Sequence, residues 1–175
     1  MRRGAAVAGL LGWSALIWWL SSLTPSKMPE KFAWFAAFGP ALWNFGHFVA
    51  FGLLGAFAAA AFDRGGRLAG WGSAAGKAAF AYVLAYAFVD EAHQWTIPMR
   101  SCSLADVVVD GAGCAFVLLV PFGRAGENGR PSGAGPAVAC LAVGVVLSWL
   151  GVTTDLPGDL WLSDALTAFF GPSGR

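Results

Sequence analysis

The segment VDEAHQWTIPMRSCSLADVVVDGAG, Val89 to Gly113, sets four carboxylates (Asp90, Glu91, Asp106 and Asp110), a histidine, a glutamine and an arginine between two apolar runs. Carboxylates and imidazoles at helical spacing can transfer protons, accept hydrogen bonds from hydroxyl, amide and ammonium groups, or ligate a cation. Asp90, His93 and Gln94 stand at i, i+3, i+4 and would share one face of a helix. Asp106 and Asp110 stand at i, i+4, and upstream Asn44 and His47 stand at i, i+3. Glu91 points about 100° away from Asp90 and shares a face with Gln94, so the two adjacent acids are expected to look toward different neighbours.

The elements that must position these groups are unusually apolar. Of 175 residues, 57% are hydrophobic and 12% charged, against about a quarter charged in an ordinary soluble domain. Nine tryptophans and fourteen phenylalanines are too many for a soluble core of this size, and a bilayer removes the difficulty. A net charge of +1 carries no electrostatic footprint for nucleic acid. The length allows one compact bundle, a single membrane domain over 1–175, and no internal repeat is visible. Cys102, Cys114 and Cys140 show no C-x-x-C spacing and form neither a disulfide framework nor a zinc cage. Cys114 and Cys140 read as small packing residues, and Cys102 falls in a loop.

A hydrocarbon core of about 30 Å needs about 20 apolar residues in helix, and five segments qualify: Ala5 to Leu23, Ala41 to Phe62, Lys77 to Trp95, Ser103 to Phe122 and Gly135 to Val152. The first begins like a signal peptide after Arg2 and Arg3 but has no small-residue cleavage site before Thr24-Pro25, so it reads as an uncleaved span. Arg2, Arg3, Arg64, Arg67, Lys77, Arg124 and Arg130 fall on one side, and Lys27, Lys31 and Arg100 on the other, with Asp155 and Asp159 after the fifth span. The positive-inside rule then puts the N-terminus in the cytoplasm and the C-terminus outside. The tail Asp159 to Phe170 is apolar on one helical face and is expected to lie on the outer surface, with Trp161 and Phe170 at headgroup level.

On that topology three helices bring polar groups to one level of the outer leaflet. Asp90 lies about 7 Å below Trp95, Asp110 about 10 Å below Ser103, and His47 about 9 Å below Ala41. An acid costs about 2.5–3.5 kcal/mol at mid-membrane and less near the interface, so four acids must face the bundle interior or a wet pocket. Against them stand Arg100 and, if protonated, His47 and His93. Either some carboxylates hold protons or a cation, such as a divalent metal ion, occupies the site.

Structural explanations compete for several of these residues. Ser103 is a plausible N-cap, and Asp106 in the following turn suits the helix dipole. Pro98 makes TIPMRS a turn. Arg100 could snorkel to phosphate headgroups, and His47 could serve an interhelical hydrogen bond. Asp90 and Asp110 are harder to dismiss, because an acid deep in a span is a functional hypothesis by default. Gly52, Gly55, Gly111 and Gly113 read as close-packing positions.

The stretch DEAHQWTIPMRSCSLADVVVDGAG resembles the signature of the VanZ-like membrane proteins: D-E, one residue, H-Q, a proline-containing turn, R, then D-x-x-x-N/D and a glycine. SSLTPSKMP after the first span and HFVAFGLLG in the second are similar to its other segments, in the same order, giving a VanZ-like core over about 5–122. The match carries over to Asp90, Glu91, His93, Gln94, Arg100, Asp106, Asp110 and His47. Two departures stand out. Trp43 and Asn44 replace an Asp-Lys pair common in the family, and Asp110 stands where asparagine is frequent. The chain thus lacks the cation and the acid of that pair and gains an acid at Asp110.

The resemblance implies a multi-pass protein of the bacterial cytoplasmic membrane and an association with resistance to teicoplanin, a lipoglycopeptide acting on wall precursors. No agreed reaction comes with the family, so enzyme status stays open. The leading expectation is an outward-facing pocket that binds a membrane lipid headgroup, a lipid-linked cell-wall precursor or the glycopeptide. The alternative is an intramembrane enzyme acting on such a headgroup. In it Asp90 donates a proton while His93 or His47 activates water, or Asp90, His93, His47 and Asp110 hold a divalent cation. A cation-coupled transporter ranks third, because Gly, Ala, Phe and Val dominate the opposite half.

Overall fold

In the computed structural model the described residues are 3–24, 40–66, 68–97, 100, 102–120, 134–153, 164–169 and 171. Five helices carry the fold: α1 (Arg3–Ser21), α2 (Pro40–Phe62), α3 (Ala74–Thr96), α4 (Leu104–Leu119) and α5 (Ala134–Thr153). With no strand among the described residues, the chain is all-α. One helix forms in each of the five apolar segments. α3 starts at Ala74 because Ser73, in extended conformation, accepts the Gly76 N–H at 2.9 Å while its hydroxyl donates to the Gly70 carbonyl at 2.8 Å. Ser73→Ala is expected to cost about 1 kcal/mol, the usual loss of an N-cap. It would read as a lower thermal midpoint in detergent with the acidic end intact, and an unchanged midpoint would remove the cap from the stability of α3.

Among the described residues two helical segments, Arg3–Ser21 and Asn44–Phe62, are long and apolar enough to cross a membrane, and a shorter apolar segment, Pro136–Trp149, lies within α5. α3 is long enough, but Lys77, Asp90, Glu91 and Gln94 lower its hydropathy. α4 ends at Leu119, short of the expected Phe122; its 16 residues rise about 24 Å.

The helices alternate in direction. Arg3 Nε donates to the Ala61 carbonyl (3.3 Å) and the Trp71 N–H to the Leu118 carbonyl (3.0 Å), joining the start of α1 to the end of α2 and the approach to α3 to the end of α4. At the opposite end Arg100 bonds carbonyls at the end of α1, and Asn44 Nδ2 donates to the Ser148 carbonyl of α5 at 3.5 Å. α2 lies in the middle, against all four others. It meets α4 backbone to backbone: a Cβ on Gly113 would fall on the Phe48 carbonyl, and one on Gly55 would stand 2.6 Å from Cys114 Sγ. Small residues there let two backbones meet. Polar interhelical bonds add to the packing, with Trp13 Nε1 donating to the Ala50 carbonyl (2.8 Å) and Tyr86 Oη to the Ser14 carbonyl (2.6 Å).

The outside of the bundle is apolar. Leu11 (65% exposed), Trp19, Val49, Val89 (52%), Val108, Val138 and Trp149 (61%) face outward, whereas Asp90, Glu91 and Asp110 are enclosed. That inverts the pattern of a water-soluble domain. Cys114 is buried in α4, and Cys102, though in the α3–α4 loop, is buried against Trp95. Of the expected tail, residues 164–169 are helical, with Leu166 packed on the Trp95–Cys102 pair and Phe169 outward. Trp161 and Phe170 lie outside the described residues, as do Arg2, Lys27, Lys31, Arg67, Pro98, Arg124, Arg130, Asp155 and Asp159.

Candidate functional site

The last turns of α3 supply Asp90, Glu91 and Gln94, all buried. Gln94 Nε2 donates to Asp90 Oδ2 at 2.8 Å and to Glu91 Oε1 at 3.3 Å, so one side-chain amide ties both acids. Glu91 Oε2 accepts the Ser103 N–H at 2.6 Å. Ser103 also caps α4, its Oγ accepting the Asp106 N–H at 3.3 Å. One residue therefore starts α4 and anchors an acid of α3. From α2, His47 Nδ1 lies 3.2 Å from Asp110 Oδ1 of α4. Ligand atoms of His47, Asp90 and Glu91, one from each, all lie within 4.8 Å of one another. Asp90 Oδ1, Asp110 Oδ2 and Trp95 Nε1 are buried without a hydrogen-bond partner.

His47, Asp90, Glu91, Gln94 and Asp110 thus come together from three helices. His93 does not join them. Its ring stacks on Trp18 of α1 (3.9 Å between centroids) and its Nε2 lies 2.9 Å from Ser22 Oγ. The reason is rotational. At about 100° per residue, Asp90, Gln94 and Glu91 fit an arc of about 100°, and His93 lies about 60° outside it on the Asp90 side. The adjacent acids also converge instead of facing different neighbours, because Gln94 sits between them in azimuth and holds both.

Arg100 approaches the same end but spends its donors on α1, Nε on the Leu23 carbonyl (3.2 Å) and Nη2 on the Leu20 carbonyl (3.0 Å). Burial lowers the pKa of its guanidinium, while Asp90, Glu91 and Asp106 raise it. Asp106 is half-buried in the first turn of α4, and Asn44 points to α5 instead of the acids. Sequence reasoning missed Trp18 and Ser22 as the partners of His93, and the Ser103 N–H as that of Glu91. Only the capping position of Ser103 was signalled.

Chemically the assembly is rich in acceptors. Three enclosed carboxylates face one imidazole, and two of their oxygens have no donor. Such a group accepts a proton, an ammonium or a metal ion from outside far more readily than an anion.

The VanZ/LLP1 family model matches residues 8–122, which contain every residue of this cluster. No curated protein and no solved structure matches the chain.

Proposed function

Because the chain belongs to the VanZ/LLP1 family, we propose that it is a five-span membrane protein whose acidic end receives the polar head of an envelope lipid or wall precursor. The alternating helix directions and the apolar outer faces of all five helices support the multi-pass reading. The basic residues before α1, between α2 and α3 and between α4 and α5 favour a cytoplasmic N-terminus and an acidic end facing outward. The observation that carries the ligand class is the pair of buried, partnerless oxygens, Asp90 Oδ1 and Asp110 Oδ2. They call for a donor, and a primary ammonium or sugar hydroxyl supplies one. Arg100 stands at the same end, and its positive charge suits a phosphate beside that donor. A lipid-linked wall precursor and teicoplanin itself carry such groups, which connects the site to glycopeptide resistance.

The test is tryptophan-fluorescence titration of the purified chain with short-chain phosphatidylethanolamine, a lipid-linked wall precursor and teicoplanin. Asp90→Asn and Asp110→Asn should each weaken binding of the true ligand about 10-fold or more, as expected for lost bonds to a charged acceptor. Unchanged affinity for all three in both variants would sink the proposal. An intramembrane enzyme acting on the same headgroup is the second reading, favoured by the convergence of His47 with Asp90 and Glu91. Unaltered lipid after prolonged incubation would remove it. A transport path gains no support, since Ala58, Ala61, Ala79 and Val83 fill the core toward the other end.

A further inference from the structure

We infer that His47, Asp90 and Glu91 form a binding site for one first-row divalent metal ion, with Asp110 as the carboxylate that orients His47. Three donor atoms from two helices lie within 4.8 Å of one another. Two metal–ligand bonds of about 2.1 Å each span about 4.2 Å, so small side-chain rotations close the site on one ion.

The atoms the ion would use are the ones the fold leaves over. Asp90 presents Oδ1, buried and without a partner, while its Oδ2 is held by Gln94, so a bound ion would take this oxygen and leave Asp110 Oδ2 to receive the headgroup. Glu91 is fixed at both oxygens, by Gln94 and by the Ser103 N–H, and each oxygen retains a lone pair. His47 Nδ1 faces Asp110, which leaves Nε2 as the coordinating nitrogen. A carboxylate behind a ligating imidazole and hydrogen bonds behind ligating carboxylates are the outer shell that metal sites use to set ligand orientation. Charge agrees as well: Asp90 and Glu91 together balance a divalent ion, and Asp110 is left to its imidazole. One imidazole with two carboxylates favours Zn²⁺, Fe²⁺ or Mn²⁺ over the all-oxygen shells of Ca²⁺ and Mg²⁺. His93 is no part of the site, being engaged with Trp18 and Ser22.

The full chain in detergent, stripped with a chelator, is titrated with Co²⁺, whose visible absorption reports nitrogen and oxygen ligation, and Zn²⁺ is then added in competition. One Co²⁺ per chain, displaced by one Zn²⁺, is expected. His47→Gln and Asp90→Asn should abolish the signal, and Asp110→Asn should weaken it about 10–100-fold, as for other outer-shell losses. Asp63→Asn, at the far end of α2, should leave it unchanged. Because a substitution at a buried acid can prevent folding, the wild-type stoichiometry and spectrum are decisive by themselves. No Co²⁺ or Zn²⁺ at millimolar concentration, or unchanged affinity in a folded His47→Gln chain, overturns the site. Absence of metal with headgroup binding intact overturns this inference and spares the headgroup reading. Stoichiometric metal without headgroup binding does the reverse.

Discussion

His47→Leu is expected to destabilise the metal-free chain by about 3–5 kcal/mol, the cost of stranding one member of a buried ion pair. Asp110 is fully enclosed and its Oδ2 already lacks a partner, so losing the imidazole 3.2 Å from Oδ1 leaves it with no donor at all. The reverse substitution, Asp110→Leu, should cost less, about 1–3 kcal/mol, because His47 is 21% exposed and can shed its proton or meet water. The double variant should recover most of the His47→Leu loss, since replacing a whole buried pair by apolar side chains is often neutral. Unfolding followed by tryptophan fluorescence, with chelator present, closes the cycle. If the two single losses simply add, the pair is uncoupled and Asp110 is held by something other than His47.

That His47 and Asp110 share one level of the bundle was legible in the sequence because helical rise is fixed. Counting residues from Ala41, Trp95 and Ser103 places His47, Asp90 and Asp110 at one level, and the 3.2 Å contact between His47 and Asp110 agrees. Rotation was not legible. Which side of α3 faces α2 and α4 is set by packing between helices, and that packing brings Glu91 beside Asp90 while His93 turns to Trp18 and Ser22. The i, i+4 link of Asp90 to Gln94 survived because it is internal to one helix. Arg100 was expected to serve acids or phosphates. The Leu20 carbonyl at the end of α1 accepts the Leu23 N–H at 3.1 Å and keeps a second lone pair, and the guanidinium takes it together with the Leu23 carbonyl.

The packing that sets this rotation can itself be tested at Gly113. A Cβ there would lie on the Phe48 carbonyl, with the rest of the Phe48 backbone close behind. That carbonyl belongs to the interior of α2 and serves the helical bond to Gly52, so it cannot turn away without opening a turn. Phe48 also follows His47, and Gly113 follows Asp110 by three residues, so the approach of these two backbones is what seats Asp110 on His47. Gly113→Ala should therefore cost about 3 kcal/mol, the upper end for overpacking, and Gly113→Val should leave little folded protein. Gly12→Ala is the matched control, because its Cβ meets nothing within 4 Å. It should be neutral or gain up to about 1 kcal/mol from helix propensity. Thermal midpoints of the variants in one detergent decide the matter. A Gly113→Ala chain as stable as Gly12→Ala would mean that α2 and α4 can separate without loss, and the rotation that gathers His47, Asp90 and Glu91 would need another cause.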